Sequence, residues 1–101
     1  MKLLTEQIKK ILPALYSTED IPCEDKKIIC RFFNPLGNQS WEITEGSQEG
    51  DDWMLFGQVD LGFGCAEWGY ISLNELEALD VGLGLGIERD ILFDGASKLE
   101  A

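Results

Sequence analysis

Apolar residues recur along this chain first with the period of a helix and then with the period of a strand. Leu4, Ile8, Ile11 and Leu15 lie at helical spacing, with Leu3 and Leu12 beside them, which predicts a helix over residues 5–12. Glu6 sits near its positive end and Lys9 and Lys10 near its negative end, as the helix dipole favours. Pro13 ends it, because the residue before a proline is biased away from helical geometry. A polar loop follows, Tyr16-Ser17-Thr18-Glu19-Asp20-Ile21-Pro22.

Lys27 to Phe33 reads as a strand, apolar on both faces apart from Arg31, which predicts a central place in a sheet. Asn34-Pro35-Leu36-Gly37-Asn38 is a turn. From Ser40 to Glu45 the chain alternates, with Trp41 and Ile43 on one face and Glu42 and Thr44 on the other. The polar stretch from Glu45 to Asp52 reads as a hairpin loop, and Trp53 to Asp60 as the returning strand. These three strands form an antiparallel meander. Trp68 to Ile71 is a further strand. It runs into Ser72-Leu73-Asn74-Glu75, a capping box flanked by Ile71 and Leu76 as a hydrophobic staple, which opens a helix over residues 73–79. Gly82, Gly84 and Gly86 break the chain, and Ile87 to Phe93 is the last strand. Segregated antiparallel strands with two short helices make an α+β fold of about four to five strands, one domain over residues 1–101.

Composition adds a compartment and a sign of charge. No apolar run approaches the roughly 18 residues that span a bilayer. The opening Met1-Lys2-Leu3-Leu4-Thr5-Glu6 has an early acid and is not a signal peptide. Cys23, Cys30 and Cys65 have no paired spacing, so they read as reduced and mostly buried thiols, and the expected location is the cytoplasm. The formal net charge is −11, and residues 32–88 hold eleven acids and not one Lys or Arg. Such a field repels nucleic acid and acidic membrane surfaces and attracts basic partners.

The same residue types narrow the chemistry. The chain has no histidine. That removes the usual general base, the Ser-His-Asp and Cys-His nucleophiles and the commonest zinc ligand. The three cysteines lack zinc spacing. Glu45, Glu49, Asp51 and Asp52 do not follow the calcium-loop pattern and read as a solvated hairpin tip. Gly82-Leu83-Gly84-Leu85-Gly86 follows a helix instead of opening one, so it reads as helix termination and a tight connection, not a phosphate loop. The rings of Trp41, Trp53, Trp68, Phe56 and Tyr70 read as core, with one or two left to anchor a protein partner. No cofactor, metal or catalytic residue is expected.

Several stretches recur in a known order. They are Leu15-Tyr16-Ser17-Thr18-Glu19-Asp20, Phe32-Phe33-Asn34-Pro35, Trp41 with Thr44-Glu45-Gly46, Phe56-Gly57, Gly69-Tyr70-Ile71-Ser72-Leu73 with Glu75-Leu76-Glu77, and Ile87-Glu88-Arg89-Asp90. In these the chain resembles the bacterial family catalogued as domain of unknown function 2958 over nearly its whole length. The resemblance implies a small bacterial domain, often carried on plasmids, phages and integrated elements, sometimes near or fused to antirestriction-type proteins. It implies no activity, since that family has no assigned catalytic residues.

Two functional expectations follow. The first is a protein-interaction module for a basic protein. Its narrower form is a nucleic-acid mimic that inhibits a basic host-defence protein, with Glu42, Glu45, Glu49, Asp51, Asp52 and Asp60 on one hairpin presenting the charge. The alternative is a small-ligand-binding accessory domain using Tyr16, Ser17, Thr18, Glu19, Asp20 and Arg89, the arginine clamping a carboxylate or phosphate. A third, a metal-assisted carboxylate enzyme, would require Mg²⁺ or Ca²⁺ to stabilise the fold.

Overall fold

The strands form a single five-stranded antiparallel sheet. A computed structural model describes residues 2–91 and 93. In chain order the elements are α1 (Glu6–Ile11), β1 (Cys30–Phe33), β2 (Ser40–Glu49), β3 (Asp52–Asp60), β4 (Ala66–Ser72), α2 (Leu73–Glu77) and β5 (Glu88–Arg89), with a 3₁₀ turn at Cys23–Asp25. The α+β architecture is therefore the one the patterning predicts. β1 to β4 form the meander, and β5 adds to the far side of β1, so β1 is paired on both sides. The last strand is shorter than the predicted 87–93, and residue 92 of that range lies outside the described residues.

Pairing register decides which side chains share a face, because directly opposed residues point the same way. Cys30 and Phe32 of β1, Trp41 and Ile43 of β2, and Leu55 of β3 lie on one face. Leu3, Leu4 and Leu12 from the N-terminal segment, Leu73 and Leu76 from α2, and Ile87 close that core. Both helices thus cover the same side of the sheet. Thr5 caps α1, its hydroxyl accepting from Ile8 N at 3.1 Å. The N-terminal segment is clamped from two directions. Leu3 N donates to Glu77 Oε2 at 2.8 Å, and Arg89 Nη1 donates to the carbonyls of Lys2 at 2.9 Å and Leu3 at 3.2 Å.

The hairpin is longer than the alternation predicts. β2 runs on to Glu49 and β3 starts at Asp52, so Glu45 to Gln48 are strand and not loop. A β-bulge makes this possible: Ile43 pairs with Gly57, but Glu45 pairs with Phe56, and Thr44 is the extra residue. Thr44 is consequently buried, not solvated, and its hydroxyl donates to Phe56 O at 3.1 Å. Of the cysteines, Cys65 departs from the expected burial. Cys30 is buried, Cys23 half-buried, and Cys65 exposed in the β3–β4 connection. Burial pushes the Cys30 thiol up to about 12, against a smaller opposing pull from Arg89, so it behaves as an apolar filler.

Candidate functional site on the open sheet face

Among the described residues, the second face of the sheet carries no α-helix. Glu42, Glu45 and Ser47 of β2, Met54, Phe56 and Gln58 of β3, and Trp68, Tyr70 and Ser72 of β4 lie on this side by register. Part of it is covered by the loop that follows α1. That loop crosses the stretch of β2 beyond the end of β1, where Gly46 N donates to Pro13 O at 2.9 Å and Leu15 N donates to Ser47 Oγ at 2.9 Å.

One buried acid holds the loop down. Glu45 is only 3% exposed. Its carboxylate accepts from Tyr16 N at 3.0 Å, from Thr18 N at 3.3 Å and from the Thr18 hydroxyl, and it pairs with Lys26 Nζ at 3.5 Å. Lys26 in turn donates to Thr18 O and, at 2.7 Å, to Thr18 Oγ1. Burial raises the Glu45 pKa, but the bonds from Thr18 and Tyr16 and the charge of Lys26 outweigh it and hold the carboxyl below its ordinary value. A charge inside a domain is tolerable when paired and fully hydrogen-bonded, and this one is.

Beside this anchor lies a row of rings. Phe56 stacks on Trp68 with centroids 5.7 Å apart, Phe56 meets Tyr70 at 5.1 Å, and Tyr70 meets Tyr16 at 6.1 Å. Tyr70 is 56% exposed, a large fraction for a ring in the middle of a row. Its hydroxyl is raised above the ordinary tyrosine range, first by its hydrogen bond with Tyr16, then by burial, and further by the neighbouring charges of Glu45 and Glu19. A concavity of about 320 Å³ opens here, walled by Tyr16, Ile21, Phe56 and Tyr70, with Glu19 at its rim. Lys26 and Glu45 lie in its floor, already bonded to each other and to Thr18. What remains to meet a ligand is the aromatic surface, Ile21, the half-buried thiol of Cys23 and the negative charge of Glu19.

The structure places the sequence-predicted residues differently from the hairpin picture. Glu45 is spent inside the fold and cannot meet a partner's surface. Asp52 caps α2: it accepts from Asn74 N at 2.9 Å, from Trp53 N at 2.7 Å and from the Ser72 hydroxyl, while Ser72 Oγ accepts from Glu75 N at 3.2 Å. Glu49 and Asp51 are exposed at the hairpin tip. Asp60 lies at the other end of β3, about 26 Å away at ~3.3 Å per residue, where it accepts from Gly62 N. Glu42 sits half-buried on the open face. The six acids do not gather into one patch.

The loop residues fare better in part. Tyr16 and Glu19 line the concavity, Thr18 ties the loop to Glu45, and Ser17 bonds back to Ala14 O. Asp20 is exposed, and Arg89 is on the opposite, helix-covered face. Among the rings, Trp41 is buried and Trp53 packs against the core as expected, but Phe56, Trp68 and Tyr70 are on the open face. Sequence reasoning missed that row. The signal was the Phe56/Gln58 and Trp68/Tyr70 period-two spacing, which needed the cross-strand register to assign a side. Among the described residues no three His, Cys, Asp or Glu side chains assemble, and no helix is long and apolar enough to cross a membrane.

The match to known families covers residues 3–101, by a model described as a protein of unknown function, DUF2958. The chain belongs to the DUF2958 family. No curated protein and no solved structure matches it. In this DUF2958 domain several residues serve as structural devices: Thr18 and Glu45 in the loop anchor, Phe56-Gly57 at the bulge, Tyr70 in the ring row, Ser72 at the helix cap, and Glu77 and Arg89 on the N-terminal clamp.

The cap makes one expectation specific. The Asp52 carboxyl is held below its ordinary value by the Ser72 hydroxyl and by Asn74 N. Its contribution to stability is therefore complete above the ordinary aspartate range and is lost as the pH falls through the lower, folded value. Asp52→Asn should lower the Tm at neutral pH, and the difference from wild type should shrink steadily on acidification. A difference in Tm that is independent of pH would show that the charge contributes nothing.

Proposed function

We propose that this domain is a binding module for a basic protein and not an enzyme, and that it works through the ring row of its open face. The observation that carries this reading is the exposed Tyr70, placed between Phe56 and Tyr16 at a concavity whose other charges, Lys26 and Glu45, pair with each other and leave the acid Glu19. A Lys or Arg side chain fits such a place on two counts. Its charge is attracted by the faces of the rings, a contact worth about 0.5–1 kcal/mol when exposed. It also moves down the field of a chain whose net charge is −11.

The acids then act as a diffuse attractive field around an aromatic anchor. Imitation of a phosphate ladder is not required, and the separation of Asp52 from Asp60 argues against that form. The same concavity supports a second reading, the capture of a small organic cation, since an ammonium group would meet the same rings.

The test is a titration with a short peptide alternating Arg and Val, at low and high salt, with a Glu-Val peptide as control. The Arg peptide should bind and weaken with salt, and Tyr70→Ala should cost roughly two- to fivefold in affinity, as expected for one lost cation–ring contact. Tyr70 is exposed enough that its removal leaves the core intact. Equal binding of both peptides, or of wild type and Tyr70→Ala, would overturn the proposal. Displacement of the peptide by a simple arylalkyl ammonium salt would favour the second reading.

A further inference from the structure

β4 is the long open edge of the sheet. Among the described residues it pairs with β3 alone, whereas the opposite edge, β5, is two residues long. In an antiparallel strand, alternate N–H and C=O groups point away from the neighbour, so β4 presents a row of free backbone donors and acceptors. Monomeric proteins commonly blunt such an edge with Lys, Pro or a bulge. β4 has no Lys and no Pro, and its pairing with β3 runs from Asp60↔Ala66 to Met54↔Ser72 without a register shift.

The two sides of this edge differ in chemistry. On the open face it shows Trp68 and Tyr70, continuous with Phe56. On the helix-covered face it shows Glu67, Gly69 and Ile71. A side chain built at Gly69 would meet no atom within 4 Å, so the sheet is bare there. Near it is a shallow cavity of about 300 Å³, lined chiefly by Trp41, Val59, Ile71, Leu76 and Leu79, with Glu75 as its charged member. The edge thus has a largely apolar slot on one side and a ring platform on the other, and a strand's side chains alternate between just such sides.

We propose that β4 receives an extended segment of the basic partner, which joins the sheet as an added strand with Arg or Lys side chains over Trp68 and Tyr70 and apolar side chains in the slot beside Gly69. The inference rests on the binding reading above and specifies how the partner is held. Main-chain bonds to β4 supply affinity, and the alternating pockets supply selectivity. Charge complementarity selects a basic segment over a second copy of this chain: two copies meeting edge to edge would each bring a net charge of −11 and a Glu67 to the same seam.

Hydrogen exchange on the intact protein tests this, using the Arg-Val peptide and the same peptide N-methylated at alternate residues. N-methylation keeps every side chain and charge but removes the donors an added strand needs. The parent peptide should slow exchange at alternate amides within residues 66–72. The N-methylated form should bind roughly tenfold more weakly, as expected for the loss of a few ladder bonds. Equal affinity of the two peptides, or binding with no protection in β4, would overturn strand addition while leaving the ring-row reading intact. No binding of either peptide would overturn both. Protection of β4 without peptide, together with a dimer in sedimentation, would show that a second copy takes the edge.

Discussion

Replacing Glu45 by Ala should destabilise the domain at neutral pH by about 3–5 kcal/mol, the usual cost of removing one partner from a buried ion pair. Four losses coincide at this site. Lys26 keeps a buried charge with its carboxylate partner gone, and the amides of Tyr16 and Thr18 and the Thr18 hydroxyl lose their acceptor. The loop that forms one wall of the concavity is then free to leave the sheet, so binding should fall together with stability. The pH dependence is fixed in sign. The folded pKa of Glu45 is below its ordinary value. Its stabilisation is therefore full above the ordinary glutamate range and disappears as the pH falls through the folded value. Chemical denaturation of wild type and Glu45→Ala across the acid range should show the two curves converging. The double variant Lys26→Met with Glu45→Leu should regain the part of the loss due to the unpaired charge but not the part due to the loop donors left without an acceptor. A single variant as stable as wild type would mean that the pair is not closed in solution.

Gly57→Ala should cost about 3 kcal/mol, at the upper end for inserting one carbon into a packed interior. A Cβ at Gly57 would lie 2.1 Å from Glu42 O and 2.9 Å from Ile43 Cα. Both are backbone atoms of the neighbouring strand, so no side chain can rotate away to relieve the overlap. The clash falls at the bulge, where β2 bends towards β3 to place Thr44 as its extra residue. Gly69 is the natural control. It pairs directly with Gly57 across β3 and β4, yet a Cβ there meets nothing. Gly69→Ala should be neutral or stabilise by up to about 0.5–1 kcal/mol through reduced freedom of the unfolded chain. Denaturant midpoints of the two variants decide the matter. Similar values would mean that strand propensity, and not backbone approach at the bulge, explains the glycine.

Much of the architecture was legible locally. The helical spacing from Leu4 onwards and the stop at Pro13 mark α1 within a residue of its observed ends, while its cap, Thr5, emerges only from the structure. Ser72 and Glu75 locate the start of α2 correctly, because a cap is a short-range bond between groups three residues apart. The second acceptor at that helix end, Asp52, comes from a strand twenty residues earlier, and no local pattern announces it. The glycines at 82 and 84 correctly announce a tight connection. Their positive φ values of 125° and 73° frame a turn in which Val81 N donates to Leu85 O at 2.8 Å and Leu85 N to Gly82 O at 2.9 Å.

The candidate site was much less legible. Glu45 reads as a loop acid because it follows Thr44 in a polar run, and only the bulge puts it on the open face, where the loop after α1 buries it. The rings of Phe56, Trp68 and Tyr70 read as core because large aromatics usually are. Their alternation shows that Trp68 and Tyr70 share a side of their strand but not which side the helices cover.

By itself, then, the amino-acid sequence determined the period of each segment, the stops at Pro13 and the glycines, the absence of histidine and the concentration of negative charge. Each of these depends on neighbours a few residues apart or on composition. Tertiary structure alone decided which face is buried, which edge stays open and which acids are consumed internally. Those outcomes depend on register between strands, and one extra residue at Thr44 is enough to reverse the side on which every following β2 side chain lies.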